Sequence, residues 1–141
     1  MIEVNGVQLE GDWADVDFAE NAEDAIQELV KRCEKLKQQT SRSTRGSALM
    51  REFCQEIDDM FNRVFGDGAS EAIFGGHVNF LEHMKAYQEF AENRDNVYKQ
   101  VNDIANQYVQ RNRANEYKAN KSRQKRHGKG NTAVVIRGNN N

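Results

Sequence analysis

The sequence predicts a mainly α-helical protein, a bundle of three principal helices with a small N-terminal β-hairpin and a disordered basic C-terminal tail. Three observations support this fold class. Proline is absent from all 141 residues, so no ring interrupts a helix. Apolar residues recur at spacings of three and four in three long stretches. Glycines and short polar residues separate those stretches, as expected of helix ends.

The first ten residues predict the β-hairpin. Apolar and polar residues alternate on both sides of Asn5-Gly6, a strong signal for a two-residue turn: Ile2, Val4, Val7 and Leu9. Two strands alone are only marginally stable, so we expect the hairpin at residues 1–10 to lie on a helix or to pair with another chain's edge. Trp13 is predicted to anchor the connector that follows.

Three amphipathic helices are predicted at about residues 17–39, 47–65 and 80–110 within one helical domain, residues 1–110. The first carries a single apolar stripe and gathers acidic residues near its start, where they complement the helix dipole. The second has a wider stripe and is predicted to be the centre of the core. We expect most of the core to come from six side chains: Phe53, Ile57, Phe61, Phe65, Phe74 and Leu81.

A glycine-rich connector links the second and third helices. Between Gly68 and Gly75, residues 70–74 are long enough for one helical turn, and Ser70 is predicted to cap it. Asn79 is predicted to cap the third helix.

The third helix carries a seven-residue repeat, and two interleaved sets of positions follow it: Phe80, Tyr87, Arg94, Val101 and Tyr108, with His83, Phe90, Val97 and Ile104 between them. The first half of this repeat predicts a face buried in the bundle, and the second half predicts an exposed seam. An unpaired apolar seam is costly in water, so it is predicted to bind a partner helix or another copy of the chain. The predicted contact residues are Val97, Val101, Ile104 and Tyr108.

The charge of the chain is strongly polarised. Residues 111–141 contain nine basic residues and one acidic residue, a net charge of +8, whereas residues 1–110 have a net charge of −10. We predict that 111–141 is a flexible tail, since it has no apolar periodicity. It offers contacts for an anionic partner, either nucleic acid or an acidic protein, and an inert tail is a third interpretation. The candidate contacts are Arg111, Arg113, Lys118, Lys121, Arg123, Lys125 and Arg126.

The sequence contains no recognisable catalytic motif. A phosphate-binding loop, a zinc-hydrolase motif and a nucleophile elbow are all missing, so we predict no enzyme, no cofactor and no metal site. His77 and His83 are six residues apart and are predicted to pack or to lie on the surface. Cys33 and Cys54 occupy apolar helix positions and are predicted to be free thiols.

Part of the sequence resembles a family of small proteins encoded among the tail genes of tailed phages and prophages. The resemblance covers about residues 1–95 and rests on the spacing of apolar residues and glycines in IEVNGVQLE, in the first two helices and in FNRVFGDGASEAIFGGHVNFLEHMKAYQEF. Small helical proteins placed before the tape-measure gene are often tail assembly chaperones, which coat the tape-measure protein and recruit tail-tube subunits. The resemblance therefore implies a chaperone-like binding protein that holds a tail component during assembly.

The expected partner is accordingly a phage tail structural protein of the tape-measure type, and a second copy of the chain is another candidate. The alternative function is a nucleic-acid-binding phage accessory protein that uses the basic C-terminal arm. No apolar run approaches the roughly 20 residues that cross a bilayer, and the N-terminus does not read as a secretory signal. We therefore expect no membrane partner and a cytoplasmic location in an infected host cell.

Overall fold

Over residues 1–127 the fold consists of a two-stranded antiparallel hairpin followed by four helices, as the sequence predicts. The computed structural model describes the backbone of residues 1–127 and the side chains of residues 1–120. The elements are, in order, β1 (Ile2–Val4), β2 (Val7–Leu9), α1 (Val16–Gln39), α2 (Gly46–Phe65), α3 (Ala69–Phe74) and α4 (Phe80–His127). The chain divides into two compact units, Met1–Tyr98 and Lys99–Asn141, and α4 contributes residues to both.

The hairpin lies on the helices of the first unit. β1 and β2 pair with Ile2 opposite Leu9, and Asn5 and Gly6 both have positive φ, which gives the turn the twist that suits a hairpin. The Asn5 side-chain amide donates to the Ile73 carbonyl at 2.9 Å, at the end of α3. The Asn5 backbone N–H donates to a carboxylate of α4, that of Glu89. The predicted hairpin and its support by a helix are therefore confirmed.

The core of the first unit is rich in aromatic side chains. Phe61 of α2 is fully buried, and its ring centroid lies 6.0 Å from that of Phe74 and 5.6 Å from that of Phe90. Trp13 is also buried, with its ring centroid 5.0 Å from that of Phe90, so it anchors the connector as predicted. The buried residues come from the hairpin and from all four helices.

Four of the six predicted core residues belong to the core, and most of the core comes from other side chains. Ile57, Phe61 and Phe74 are buried, and the half-buried Phe65 packs against the buried cluster. Phe53 is half-buried and lies outside this cluster. The inclusion of Leu81 in the predicted core was wrong, because this residue is 76% exposed. It lies two residues before the buried His83, and residues two apart do not share a face of a helix.

Two predictions about helix starts had different outcomes. The Asn79 side-chain oxygen accepts from the Glu82 N–H at 2.9 Å, which confirms the predicted cap of α4. Ser70 does not cap α3, because that helix begins one residue earlier, after Gly68. The Asn62 side-chain oxygen accepts from the Ser70 N–H at 2.9 Å instead. A residue of α2 therefore provides the acceptor for a backbone N–H in the first turn of α3.

α4 is longer than predicted. We expected it to end at about residue 110 and residues 111–141 to form a flexible tail, but the helix continues to His127. Residues 111–127 contain no glycine or proline and are rich in arginine and lysine, which favour helix. Loss of the apolar period therefore marked the end of the apolar stripe and not the end of the helix. The rest of the predicted tail, residues 128–141, lies outside the described residues.

Candidate protein-binding groove

An apolar groove of about 380 Å³ lies between α1, α2 and α4 in the first unit. Ten residues line it: Leu29, Val30, Cys33, Glu34 and Lys37 of α1, Phe53 and Ile57 of α2, and Phe80, Met84 and Tyr87 of α4. These positions recur at spacings of three, four and seven, so each helix presents one face to the groove. The groove is therefore lined by the same apolar helix faces whose periodicity predicts the helices.

The groove is an incompletely covered part of the core. Leu29 and Ile57 are buried, whereas Phe53 and Phe80 are half-buried with their ring centroids 6.0 Å apart. Val30, at the edge, is 46% exposed. Three helices thus meet here, and within the part of the chain that the structure describes no further helix or strand covers these side chains. An exposed apolar surface of this kind is typical of a binding site.

The dimensions of the groove match those of a short stretch of helix. At about 1.5 Å per residue, the wall from Leu29 to Lys37 is about 12 Å long and the wall from Phe80 to Tyr87 is about 10 Å long. Glu34 and Lys37 supply the charged groups of the lining, and both are exposed at its margin. Small-molecule pockets orient their ligand with convergent polar groups, whereas an apolar groove accepts the apolar face of an amphipathic helix.

Burial raises the pKa of two titratable groups in the lining. It raises the pKa of the Cys33 thiol, and the nearby Glu56 carboxylate raises this pKa further. Burial likewise raises the pKa of the Tyr87 phenol. Both shifts favour the uncharged form at physiological pH, so the groove stays apolar there. Cys33 and Cys54 are both free thiols, as predicted.

The apolar surface continues beyond the groove around Phe80. This residue also borders a depression between the start of α2 and the start of α4, together with Met50, Val78 and Leu81. All three of these side chains are exposed. The mispredicted core residue Leu81 is therefore part of an uncovered surface next to the groove.

A buried histidine holds the part of α4 that lines the groove. His83 is fully buried, and its ring stacks on that of Phe74 with centroids 3.6 Å apart. Its Nδ1 donates to the Asn79 carbonyl at 2.8 Å, and its Nε2 lies 2.9 Å from Asp58 Oδ1. The sequence predicted that His83 packs or lies on the surface, and it gave no signal for the Asp58 partner, which is 25 residues away on another helix. These contacts fix the turn of α4 that carries Phe80.

The predicted seam on α4 is only partly exposed. Val97 packs against the core of the first unit, so including it in the exposed seam was wrong. Trp13 explains this difference, because its ring lies 6.0 Å from that of the adjacent Tyr98 and extends the core to this turn. The remaining predicted contacts, in the second unit, are exposed and share one helix face: Val101, Ile104 and Tyr108.

The predicted basic contacts lie in the helical segment of the second unit. Arg111, Arg113 and Lys118 are exposed. Lys121, Arg123, Lys125 and Arg126 belong to the same helix, and their side chains lie outside those that the structure describes. Among the described residues, no group of three or more histidine, cysteine, aspartate or glutamate side chains is placed to hold a metal ion. No helix in that same part of the chain is both long and apolar enough to cross a membrane.

Comparison with known proteins identifies a family. No curated protein and no solved structure matches the chain. Residues 5–129 match the model of a family of unknown function, DUF6673, and this span includes all ten residues of the groove. Because the match covers most of the chain, the protein belongs to the DUF6673 family.

Proposed function

We propose that the protein is a binding protein that holds an amphipathic helix of a protein partner in the groove between α1, α2 and α4. The uncovered apolar side chains of three helices, extending for about 10 Å, carry this proposal. The partner helix would place its apolar face against Phe53, Phe80 and Met84 and leave its polar face in water.

The contacts suit reversible binding. Fully burying one large apolar side chain contributes about 1.5–3 kcal/mol, and the half-buried residues of the groove have only part of that left to gain. Association also costs translational and rotational freedom. A groove of this size therefore favours moderate affinity, which suits a protein that must later release its partner.

We further propose that the partner is a tail component of the tape-measure type, and that the protein acts as a tail assembly chaperone. The sequence resemblance to small phage tail-cluster proteins supports this assignment, and the region of resemblance contains every residue of the groove. A long helical protein that exposes apolar faces before assembly needs those faces covered. In this proposal the chain binds and does not catalyse a reaction.

Co-expression with the tape-measure protein of the same gene cluster tests the proposal. The wild-type chain should raise the soluble fraction of that protein and should be recovered with it. Val30→Asp places a charge at the edge of the groove and should abolish both effects, because an apolar partner face cannot solvate it. Val16→Asp is the matched control, since it makes the same change at an exposed position on the same helix away from the groove.

Two results would oppose the proposal. Equal recovery with Val30→Asp and Val16→Asp would mean that the groove is not the binding site. Recovery that disappears on nuclease treatment would favour the alternative, in which the basic residues of α4 bind nucleic acid. Fluorescence of Trp13, the single tryptophan, verifies that each variant is folded.

A further inference from the structure

We propose that residues 111–127 of α4 bind double-stranded DNA through contacts with its phosphates. This segment contains seven basic residues and one acidic residue, a net charge of +6. It is helical throughout, and nine of the ten side chains that the structure describes in it are exposed. The inference does not rest on the proposed function, because none of the ten residues that line the groove lies in this segment.

The basic charge begins at Arg111 and is not balanced locally. Residues 99–110, which precede it in the second unit, contain one basic and one acidic residue. Among the described side chains, Arg111, Arg113 and Lys118 form no ion pair with a carboxylate. Salt confines the attraction between exposed charges to about 8 Å at physiological ionic strength. The local charge of +6, and not the net charge of −2 of the whole chain, therefore selects the partner of this segment.

Four of the basic residues occupy one face of the helix. Arg111, Lys118 and Lys125 recur at intervals of seven, and positions seven apart on the backbone share a face. Lys121 is three positions after Lys118 and lies on the same side. From residue 111 to residue 125 this face is about 21 Å long. DNA carries one negative charge for about every 1.7 Å of its axis, so a face of this length can contact several phosphates.

A preformed helix with one aromatic residue favours duplex DNA over other nucleic acids. An α-helix with its side chains is about 10–12 Å across, and the major groove of B-DNA is about 12 Å wide. The major groove of duplex RNA is too narrow for side chains to read. Proteins that bind single strands stack the bases on aromatic side chains, and the segment offers Tyr117 alone.

An acidic protein is a less suitable partner for this segment. The centre of a protein interface is apolar, enriched in aromatic residues and depleted of lysine. Apart from Tyr117, the apolar residues of the segment are two alanines, Ala114 and Ala119. Five further residues are asparagine, serine or glutamine, whose side chains hydrogen-bond to phosphate oxygens in complexes with DNA. The composition therefore suits a surface of regularly spaced phosphates.

Fluorescence anisotropy of the full-length protein with a labelled random-sequence duplex tests the inference. The affinity of the wild type should fall at least about a hundredfold between about 50 and 200 mM NaCl, because four phosphate contacts give a slope of about −3.6 in log K against log salt. Arg111→Gln combined with Lys118→Gln should reduce that slope by about 2, and glutamine preserves the helix.

The matched control is Arg51→Gln combined with Lys31→Gln. It removes the same two residue types from exposed positions in the first unit, so it changes the net charge equally and should leave the slope unchanged. The variant in residues 111–127 should still hold the tape-measure protein in co-expression. Failure of this inference is therefore separable from failure of the proposed function.

Several outcomes would overturn the inference. Absence of duplex binding at about 50 mM salt would do so, and so would a slope that the two substitutions in α4 leave unchanged. An equal loss in the control variant would show a general effect of net charge. Tighter binding of the same sequence as a single strand would refute the assignment to duplex DNA. Equally tight binding of polyglutamate would favour an acidic protein as the partner.

Discussion

His83 Nε2 and Asp58 Oδ1 lie 2.9 Å apart and link α4 to α2. The Asn79 carbonyl only accepts hydrogen bonds, so its 2.8 Å contact with His83 Nδ1 requires the proton on that nitrogen. One more proton must then lie between Nε2 and Oδ1, bound to either atom. Without it, two acceptors would face each other next to the buried ring.

This pair makes the free energy of unfolding depend on pH. Burial raises the pKa of the Asp58 carboxyl, the hydrogen bond from His83 opposes that shift, and the nearby Asp59 and Glu71 carboxylates add to it. A raised folded-state pKa contributes stability that is complete below the ordinary value near 3.8 and is lost as the pH rises through the folded-state value.

Asp58→Asn should remove this dependence. The Asn amide can donate to the neutral Nε2 of His83 without a titrating proton, so the geometry is kept. The free energy of unfolding of the wild type minus that of the variant should fall as the pH rises above the ordinary aspartate value near 3.8, by no more than about 1.4 kcal/mol per pH unit. Urea unfolding monitored by Trp13 fluorescence measures it. A constant or rising difference would contradict the raised pKa of Asp58.

The fold was predictable from the sequence because its signals are local. Asn5-Gly6 predicts the hairpin turn, and Asn79 marks the start of α4, since both act within a few residues of themselves. The groove was not predicted, because it depends on which apolar side chains stay exposed when three helices pack together. Val97 and Leu81 show the same limit, because the exposure of each side chain depends on what packs beside it.

Phe61→Ala should be among the most destabilising single substitutions in the chain. Phe61 is fully buried and contacts three phenylalanine rings, so its truncation leaves a cavity and should cost about 3–5 kcal/mol. Leu81→Ala is the control, because that side chain is mostly exposed and its loss should cost less than about 0.5 kcal/mol. Urea midpoints at equal m-values measure both costs. Similar costs at the two sites would contradict the described core.

Tyr98 should ionise at unusually high pH. Its phenol donates to a Glu23 carboxylate oxygen at 2.7 Å, and burial together with this bond raises its pKa to about 12. Glu23→Gln should lower that pKa towards the ordinary value without restoring it fully, since the burial remains. Absorbance titration of tyrosinate follows the change, and Tyr98→Phe identifies the signal among the four tyrosines. A Tyr98 pKa unaffected by Glu23→Gln would show that the bond has no influence.

Asn5 is predicted to stabilise the fold in two separable ways. Its φ of 52° lies in the left-handed region, where asparagine is tolerated better than most residues, and its side chain donates to the part-buried Ile73 carbonyl. Asn5→Gly keeps the backbone conformation and loses the side-chain bond, which should cost about 1 kcal/mol. Asn5→Ala loses the bond and also adds the steric cost of the left-handed region, about 1–2 kcal/mol more.

The order of stability should therefore be wild type, Asn5→Gly, then Asn5→Ala, measured by urea unfolding with Trp13 as the reporter. Gln8→Ala is the control, because its amide bonds only to the exposed Glu3 side chain within the hairpin and its loss should change stability by less than about 0.5 kcal/mol. Equal stability of Asn5→Gly and Asn5→Ala would show that the turn conformation costs nothing. Equal stability of Asn5→Gly and the wild type would show that the bond to α3 does not hold the hairpin in place.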